Sequence, residues 1–401
     1  MGTVAFSQKA PNPFQSFDDE VEKFMKPRGV PGATLAVTRN GKLVYAKGYG
    51  WADVEKKESV QPESLFRIAS ISKPITGVAV LKLVEQGRIK LDDLAIDWLE
   101  KFFRFPLSPK DKRWKKITIH QLLHHTGGWD RDTSFDPMFR SVAIAKEMRT
   151  RQPADAAAVI RYMLKQPLQF DPGQKYAYSN LGYCILGRII EVASGVSYER
   201  FVQENIFAVM GIKRMRLGKT RIQDRADGEV RYYMPDAGKG KSVFELNERL
   251  VPWPYGAFNL EAMDAHGGWI SSAVDLVRFG AALEPIEKNK VLPKELSQQL
   301  YAPPVAPVSR DADGRLKDYF YGCGWLVRPV RGGGANFWHG GSLPGTYTLL
   351  VRRHDGLCWA MLFNMRNGKR GLSDGAIDSA LHRAANAVKK WPEVDLFSKH
   401  L

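Results

Sequence analysis

Residues 70–87 read Ser-Ile-Ser-Lys-Pro-Ile-Thr-Gly-Val-Ala-Val-Leu-Lys-Leu-Val-Glu-Gln-Gly. Val78 to Val84 is apolar except for Lys82, which predicts a helix buried on most of its sides and central to its region. Gly87 supplies the stop, and Pro74 is tolerated because it falls in the first turn. Residues three apart share a helix face, so the Lys73 amine can reach the Ser70 hydroxyl. A serine needs such a neighbour to take its proton, and a helix amino terminus adds N–H groups and partial positive charge beside the reacting oxygen. Ser-x-x-Lys alone arises easily by chance, so its weight depends on what accompanies it.

Working outward, Ala33–Thr38, Arg39-Asn40-Gly41 and Lys42–Ala46 predict a β-hairpin, with Asn-Gly supplying the turn. From Ser70 to about Asn247 the signals are helical, with Gly87, Gly127-Gly128 and Gly195 at carboxyl caps and a turn at Pro172-Gly173. Strand-like runs return at Gly324–Val330, Asn336–His339, Thr346–Arg353 and Leu357–Asn364, and a terminal helix is expected over Ala376–Lys390. Strands at both ends with helices between predict an α/β plus all-α fold: an antiparallel sheet flanked by helices, with a helical insertion. The expected division is a sheet domain from residues 15–65 and 255–395, a mainly helical domain over 66–254, and an active site in the cleft between them.

Two further motifs carry chemistry. Tyr178-Ser179-Asn180 precedes an apolar helix (Leu181–Val192), where a tyrosine can act as general base or acid and an amide can bind a carbonyl. The bland alternative is a packed ring, with Asn180 capping the helix. Phe337-Trp-His-Gly-Gly-Ser-Leu-Pro-Gly345 lies between two predicted strands. Its glycines permit close approach of a backbone, Ser342 could present its N–H, and His339 could donate to a substrate oxygen or relay protons.

The chain has 401 residues, 44% hydrophobic and 25% charged, which excludes a wholly disordered, collagenous or coiled-coil protein. No run approaches the roughly 18 apolar residues of a membrane span. Fifty-nine basic against 43 acidic residues give +16, yet the basic residues are scattered and accompany no nucleic-acid motif, so no nucleic-acid partner is expected. Cys184, Cys323 and Cys358 are too few and too far apart for a disulfide framework or zinc knuckle, and read as buried thiols. The first residues, MGTVAFSQKAPNPF, lack a basic stretch followed by an apolar one, so no secretory signal is read and the compartment is left open, as is the oligomeric state.

In this order, Ser70-x-x-Lys73, Tyr178-x-Asn180 and His339-x-Gly341 resemble the serine β-lactamase and penicillin-binding-protein superfamily, most closely its class C-like branch of carboxylesterases, D,D-peptidases and D-aminopeptidases. Val30-Pro-Gly32, Leu65–Ser70, Leu122–Gly128 and Gly267–Ser272 extend the likeness over roughly residues 18–390. The resemblance implies a β-lactamase/transpeptidase-like fold and a cofactor-free, metal-free serine hydrolase. Ser70 would be acylated, with Lys73 as its activating partner and Tyr178 as the base that passes a proton to the leaving group. Asn180, His339, Gly341 and Ser342 would bind substrate, the Ser70 and Ser342 N–H groups forming the oxyanion hole. Histidine stands where most class C β-lactamases have lysine. The fixed charge that would hold a β-lactam carboxylate is therefore missing, and a small ester is expected ahead of an amide or a lactam.

Three other readings compete. Gly371-Leu-Ser373-Asp-Gly375 matches Gly-x-Ser-x-Gly, but it stands apart from its strand, with too little chain after it for an α/β-hydrolase. His120 and His124, four apart, lack the glutamate of a metalloprotease helix and a third ligand. A catalytically inactive binding protein would be expected to have lost at least one of Ser70, Lys73 and Tyr178.

Overall fold

The computed structural model describes residues 12–247, 249–283, 289–304, 319–331, 333–366 and 373–400. The expected hairpin pairs Gly32–Arg39 with Lys42–Asp53, and Asn40 (φ 50°) and Gly41 (φ 79°) make the turn. Gly32–Arg39 also pairs with Leu357–Phe363, so the two ends of the chain meet inside one antiparallel sheet. Across that sheet the order is Glu58–Ser59, Lys42–Asp53, Gly32–Arg39, Leu357–Phe363, Thr346–Arg352, Ala335–Leu343, Leu326–Pro329 and Phe320–Tyr321.

Strand periodicity sends alternate residues to opposite faces, and both faces are covered. Leu35, Val37, Trp359, Met361 and Phe363 pack with the helices Gln15–Arg28 and Ala376–Ala387. Ala36, Ala360 and Leu362 face the other way, toward the helix Ala273–Ala282 and the larger core. That larger core surrounds the helix Ser72–Glu85, every residue of which from Ser72 to Leu81 is buried. A Cβ at Gly77 would lie 2.2 Å from the Cys323 carbonyl oxygen, so this close approach requires glycine. All three cysteines are free and buried.

The helical stretch stops earlier than expected. Its last turn ends at Met210, and residues 211–263 hold short strands (Arg216–Leu217, Lys239–Lys241, Leu250–Pro252) and turns instead. Their order comes from a buried polar hub. The Arg67 guanidinium donates to the Pro254 and Lys219 carbonyls, both at 2.7 Å, while Tyr232 accepts from the Arg67 N–H and donates to Glu229. Gly127-Gly128 caps nothing: the helix Ile119–Leu123 ends at His124, and it is His125 that turns left-handed (φ 58°). Among the described residues no helix is long and apolar enough to cross a membrane.

Candidate active site

The strand Phe66–Arg67 passes through Ile68 into one 3-10 turn, Ala69–Ile71, and then into the helix Ser72–Glu85. Ser70 therefore stands at the junction of strand and helix, just after Ala69, whose φ of 49° lies in the left-handed region. Two threonines of the sheet hold this approach. Thr346 donates to the Arg67 carbonyl (3.1 Å) and Thr348 to the Ile68 carbonyl (2.9 Å).

Lys73 is wholly buried, and its Nζ lies 3.2 Å from Ser70 Oγ, 2.8 Å from Asn180 Oδ1 and 2.9 Å from the His266 carbonyl oxygen. Burial holds its pKa well below the ordinary lysine value; Asp136 opposes that shift and Arg131 adds to it. A neutral amine has two N–H groups, and the two carbonyl oxygens take them. Its lone pair is then left facing Ser70.

Asn180 begins the helix Asn180–Ser194 but does not cap it. Ser179 is the cap, its Oγ accepting from the Gly182 N–H. The Asn180 side chain is thus free to reach Lys73 through its oxygen and Asp136 Oδ2 through its nitrogen, at 2.6 Å. Tyr178 shares a hydrogen bond with Ser70, and its ring lies 4.7 Å from both Lys73 Nζ and the Arg131 guanidinium. Burial pushes the phenol above its ordinary pKa, and the Ser70 hydrogen bond only partly offsets this. A resting tyrosine here keeps its proton.

His339 is buried, which drives its pKa down to about 3; Lys73 adds to that, and the Gly340 carbonyl opposes it. Its Nδ1 lies 2.7 Å from that carbonyl oxygen and its Nε2 3.0 Å from the Tyr321 hydroxyl. A carbonyl only accepts, so Nδ1 carries the hydrogen and Nε2 accepts from Tyr321. Neither nitrogen has an N–H left for a substrate oxygen, which differs from the donor role anticipated above. Gly341 does not line the cleft: a Cβ there would sit 2.1 Å from the Ile68 carbonyl oxygen, so this glycine lets the strand Ala335–Leu343 close on the Ser70 turn. Its neighbours Gly340 and Ser342 do face the cleft. This strand runs on past Leu326–Pro329, which pairs with it only over Ala335–Trp338. Among the described residues, backbone from His339 onward is thereby free of strand pairing on that edge.

Ser70, Tyr178, Asn180, His339 and Ser342 border one cleft of about 560 Å³, with Arg131, Arg366 and Asp378 as its charged lining among the described residues. A larger cavity of about 660 Å³ lies behind Tyr232 and Pro254 and contains none of the motif residues. The rings of His120 and His124 lie 4.4 Å apart, tilted by 41°, and His124 bonds the Tyr321 carbonyl (2.9 Å). Among the described residues no group of three His, Cys, Asp or Glu side chains could hold a metal. Gly371 and Leu372 of the Gly-x-Ser-x-Gly match lie outside the described residues.

Four further participants stand in none of the sequence motifs that carry chemistry: Asp136 behind Asn180, Arg131 over Tyr178, His125 against Tyr178 (4.4 Å), and Tyr321 on His339. Asp136-Pro137 is a legible helix start. Nothing local says that its carboxylate meets a side chain 44 positions on.

The Beta-lactamase family model matches residues 17–382. Penicillin-binding protein 4* of Bacillus subtilis (strain 168) is 28% identical over 326 residues, or 80% of this chain, and the chain spans only 65% of that relative's length. The octameric penicillin-binding protein homologue from Pyrococcus abyssi is 26% identical with a TM-score of 0.67, covering 94% of this chain and 78% of that one. A D-amino acid amidase from Ochrobactrum anthropi SV3 shares the fold at 22% identity, with a TM-score of 0.70 over 94% of this chain and 99% of that one. A sheet flanked by helices, a match across nearly the whole chain and two penicillin-binding relatives lead to one conclusion: this chain belongs to the beta-lactamase family.

Proposed function

We propose that this protein is a serine acyl-hydrolase that works through an acyl-enzyme at Ser70 and cleaves small esters. The observation that carries the reading is the Lys73 amine, dry, depressed in pKa and 3.2 Å from the Ser70 oxygen. Lys73 takes the Ser70 proton as Oγ bonds to the carbonyl carbon. The Ser70 and Ser342 N–H groups receive the resulting oxyanion. As the ester C–O bond breaks, Tyr178 gives its proton to the departing alkoxide and recovers one from the Lys73 ammonium. Water then gives a proton to the same pair as its oxygen bonds to the acyl carbon, and as the bond from that carbon to Ser70 Oγ breaks, the proton passes to Oγ and the carboxylic acid leaves. This assigns Tyr178 the role of proton donor, in keeping with its raised pKa, and makes Lys73 the base. No cofactor enters the scheme. The cleft is taken to divide a sheet domain (15–65 and 255–395) from a mainly helical one (66–254).

A neutral His339 with both nitrogens engaged supports an ester over a β-lactam, because nothing on that strand pairs with a carboxylate. The likeness to penicillin-binding protein 4* favours a second reading, a D-amino-acid-directed peptidase or penicillin-binding enzyme with weak lactam turnover. Intact-mass labelling with a fluorophosphonate and with penicillin, on wild type and Ser70→Ala, tests the common core. The expected result is one adduct on wild type and none on the variant. Turnover of short esters, nitrocefin and D-Ala-D-Ala peptides then separates the two readings. A folded wild type that forms no Ser70 adduct with either reagent would sink both.

A further inference from the structure

Asp136 uses both carboxylate oxygens. Oδ1 accepts from the Met138 N–H at 3.1 Å, capping the short helix Pro137–Phe139, and Oδ2 accepts from Asn180 Nδ2 at 2.6 Å. A carboxylate offers only acceptors, so the Asn180 amide must turn its NH₂ toward Asp136 and its oxygen toward Lys73. That choice matters to the amine. With the amide reversed, Lys73 would meet a donor, and a neutral amine would answer by turning its lone pair away from Ser70.

We infer that Asp136 is a positioning residue: by fixing the Asn180 amide it aims the Lys73 lone pair at the Ser70 hydroxyl. The inference rests on the Ser70 acyl-enzyme proposed above. Asp136 also acts on Lys73 through its charge, favouring the ammonium form, whereas Arg131 opposes it. The other titratable groups facing Lys73 are Tyr178, Tyr183, His125, His266 and His339. Burial lowers all three histidines and raises both tyrosines, which moves their titrations away from neutral pH in opposite directions, so the acid limb of the profile is assigned to Lys73.

Asp136→Asn retains a good helix cap but has only one acceptor oxygen. With that oxygen on the Met138 N–H, its NH₂ confronts the NH₂ of Asn180. The double swap of Asp136→Asn with Asn180→Asp satisfies every bond again: Met138 N–H to the new amide oxygen, that amide's NH₂ to the new carboxylate, and a Lys73 N–H to that carboxylate. The measurement is the rate of acylation by p-nitrophenyl acetate against pH. This ester has no amide side chain for Asn180 to bind.

Asp136→Asn is expected to lower the plateau rate by about 10²-fold, the scale of general-base catalysis, and to move the acid limb to lower pH. The swap is expected to regain most of the plateau rate and to carry the acid limb up by about 1–3 on the pH scale, because the carboxylate now touches the amine. A purely structural Asp136 would leave the acid limb where it is. A folded Asp136→Asn variant with the wild-type plateau and acid limb overturns the inference, as does a folded swap no faster than the single variant. If wild type itself forms no Ser70 acyl adduct, the acyl-enzyme reading falls and this one with it. An adduct on wild type with an unaltered Asp136→Asn profile defeats the positioning role alone.

Discussion

Burial sets the protonation of the groups around Ser70, and it does so in opposite senses for bases and acids. The Lys73 amine and the imidazoles of His125, His266 and His339 are driven toward their neutral forms, and so is the Tyr178 phenol, which therefore keeps its proton. Activity that needs a neutral Lys73 rises with pH through the midpoint of that amine and is lost below it. The midpoint should lie well under 10.5, the ordinary lysine value. A pH–rate profile on a neutral ester checks this, and a rate still climbing at pH 10 would contradict it. Tyr178→Phe removes the proton donor without removing the ring. It should lower kcat by about 10²-fold with KM little changed, as read from steady-state ester hydrolysis. The identities of Ser70, Lys73, Tyr178 and Asn180 were legible because each stands in a short pattern with its own chemistry. The protonation states were not, since they depend on Arg131, Asp136 and Tyr321, which come from elsewhere in the chain.

Two contacts between elements carry separate predictions. The glycine pair on the strand Ala335–Leu343 was read as room for a ligand, and only one of the two fits that. A Cβ at Gly340 meets nothing closer than 3.8 Å, whereas at Gly341 it would strike the Ile68 carbonyl and Thr348 Oγ1. Gly341→Ala should lower stability by about 1–3 kcal/mol and draw the strand off the Ser70 turn, while Gly340→Ala should be tolerated. Thermal unfolding of both variants is the check, and equal melting temperatures would refute it. The second contact ties the helix Gln15–Arg28 to the strand Lys42–Asp53. Burial works against the Asp18 charge, yet hydrogen bonds from Lys47 (2.7 Å), Tyr45 and Tyr49 (2.8 Å) outweigh it and hold the pKa below 3.8. A depressed carboxylate stabilises above its unfolded pKa, and that contribution fades as pH falls through the folded one. Asp18→Asn should therefore cost about 1–3 kcal/mol at pH 7 and much less near pH 3, measured as a difference in melting temperature. Strand and helix positions were readable because apolar alternation and periodicity survive in this sequence. The end of the helical stretch was misplaced because residues 211–263 are ordered by Arg67, Tyr232 and Glu229, a polar hub with no periodic signature.

At the scale of the molecule, among the described residues the net charge of +16 does not gather at the cleft, where Arg131 and Arg366 stand with Asp378, and Asp136 lies 3.7 Å behind Arg131. Turnover of an anionic ester should accordingly change little between low salt and about 0.5 M, conditions under which long-range steering is screened out. A steep salt dependence of kcat/KM would show that the charge acts on substrate after all. The fold class was legible from the order of strands, helices and strands again. What that order could not convey is how late the site closes. The serine turn is clamped by Thr346 and Thr348 and edged by the strand Ala335–Leu343, while Gly32–Arg39 waits for Leu357–Phe363 as its partner. On the ribosome, Ser70, Lys73, Tyr178 and Asn180 all emerge well before the segments that lock them in place. The nascent polypeptide thus carries Ser70 without its clamping strand until those segments emerge, and the strand Gly32–Arg39 spends that time with one edge unpaired. Long-range pairing of this kind slows folding and exposes a growing chain to aggregation. The proposed hydrolytic competence should accordingly appear only once Leu357–Phe363 has emerged, and cellular yield should depend on whatever shelters that open edge until this strand arrives.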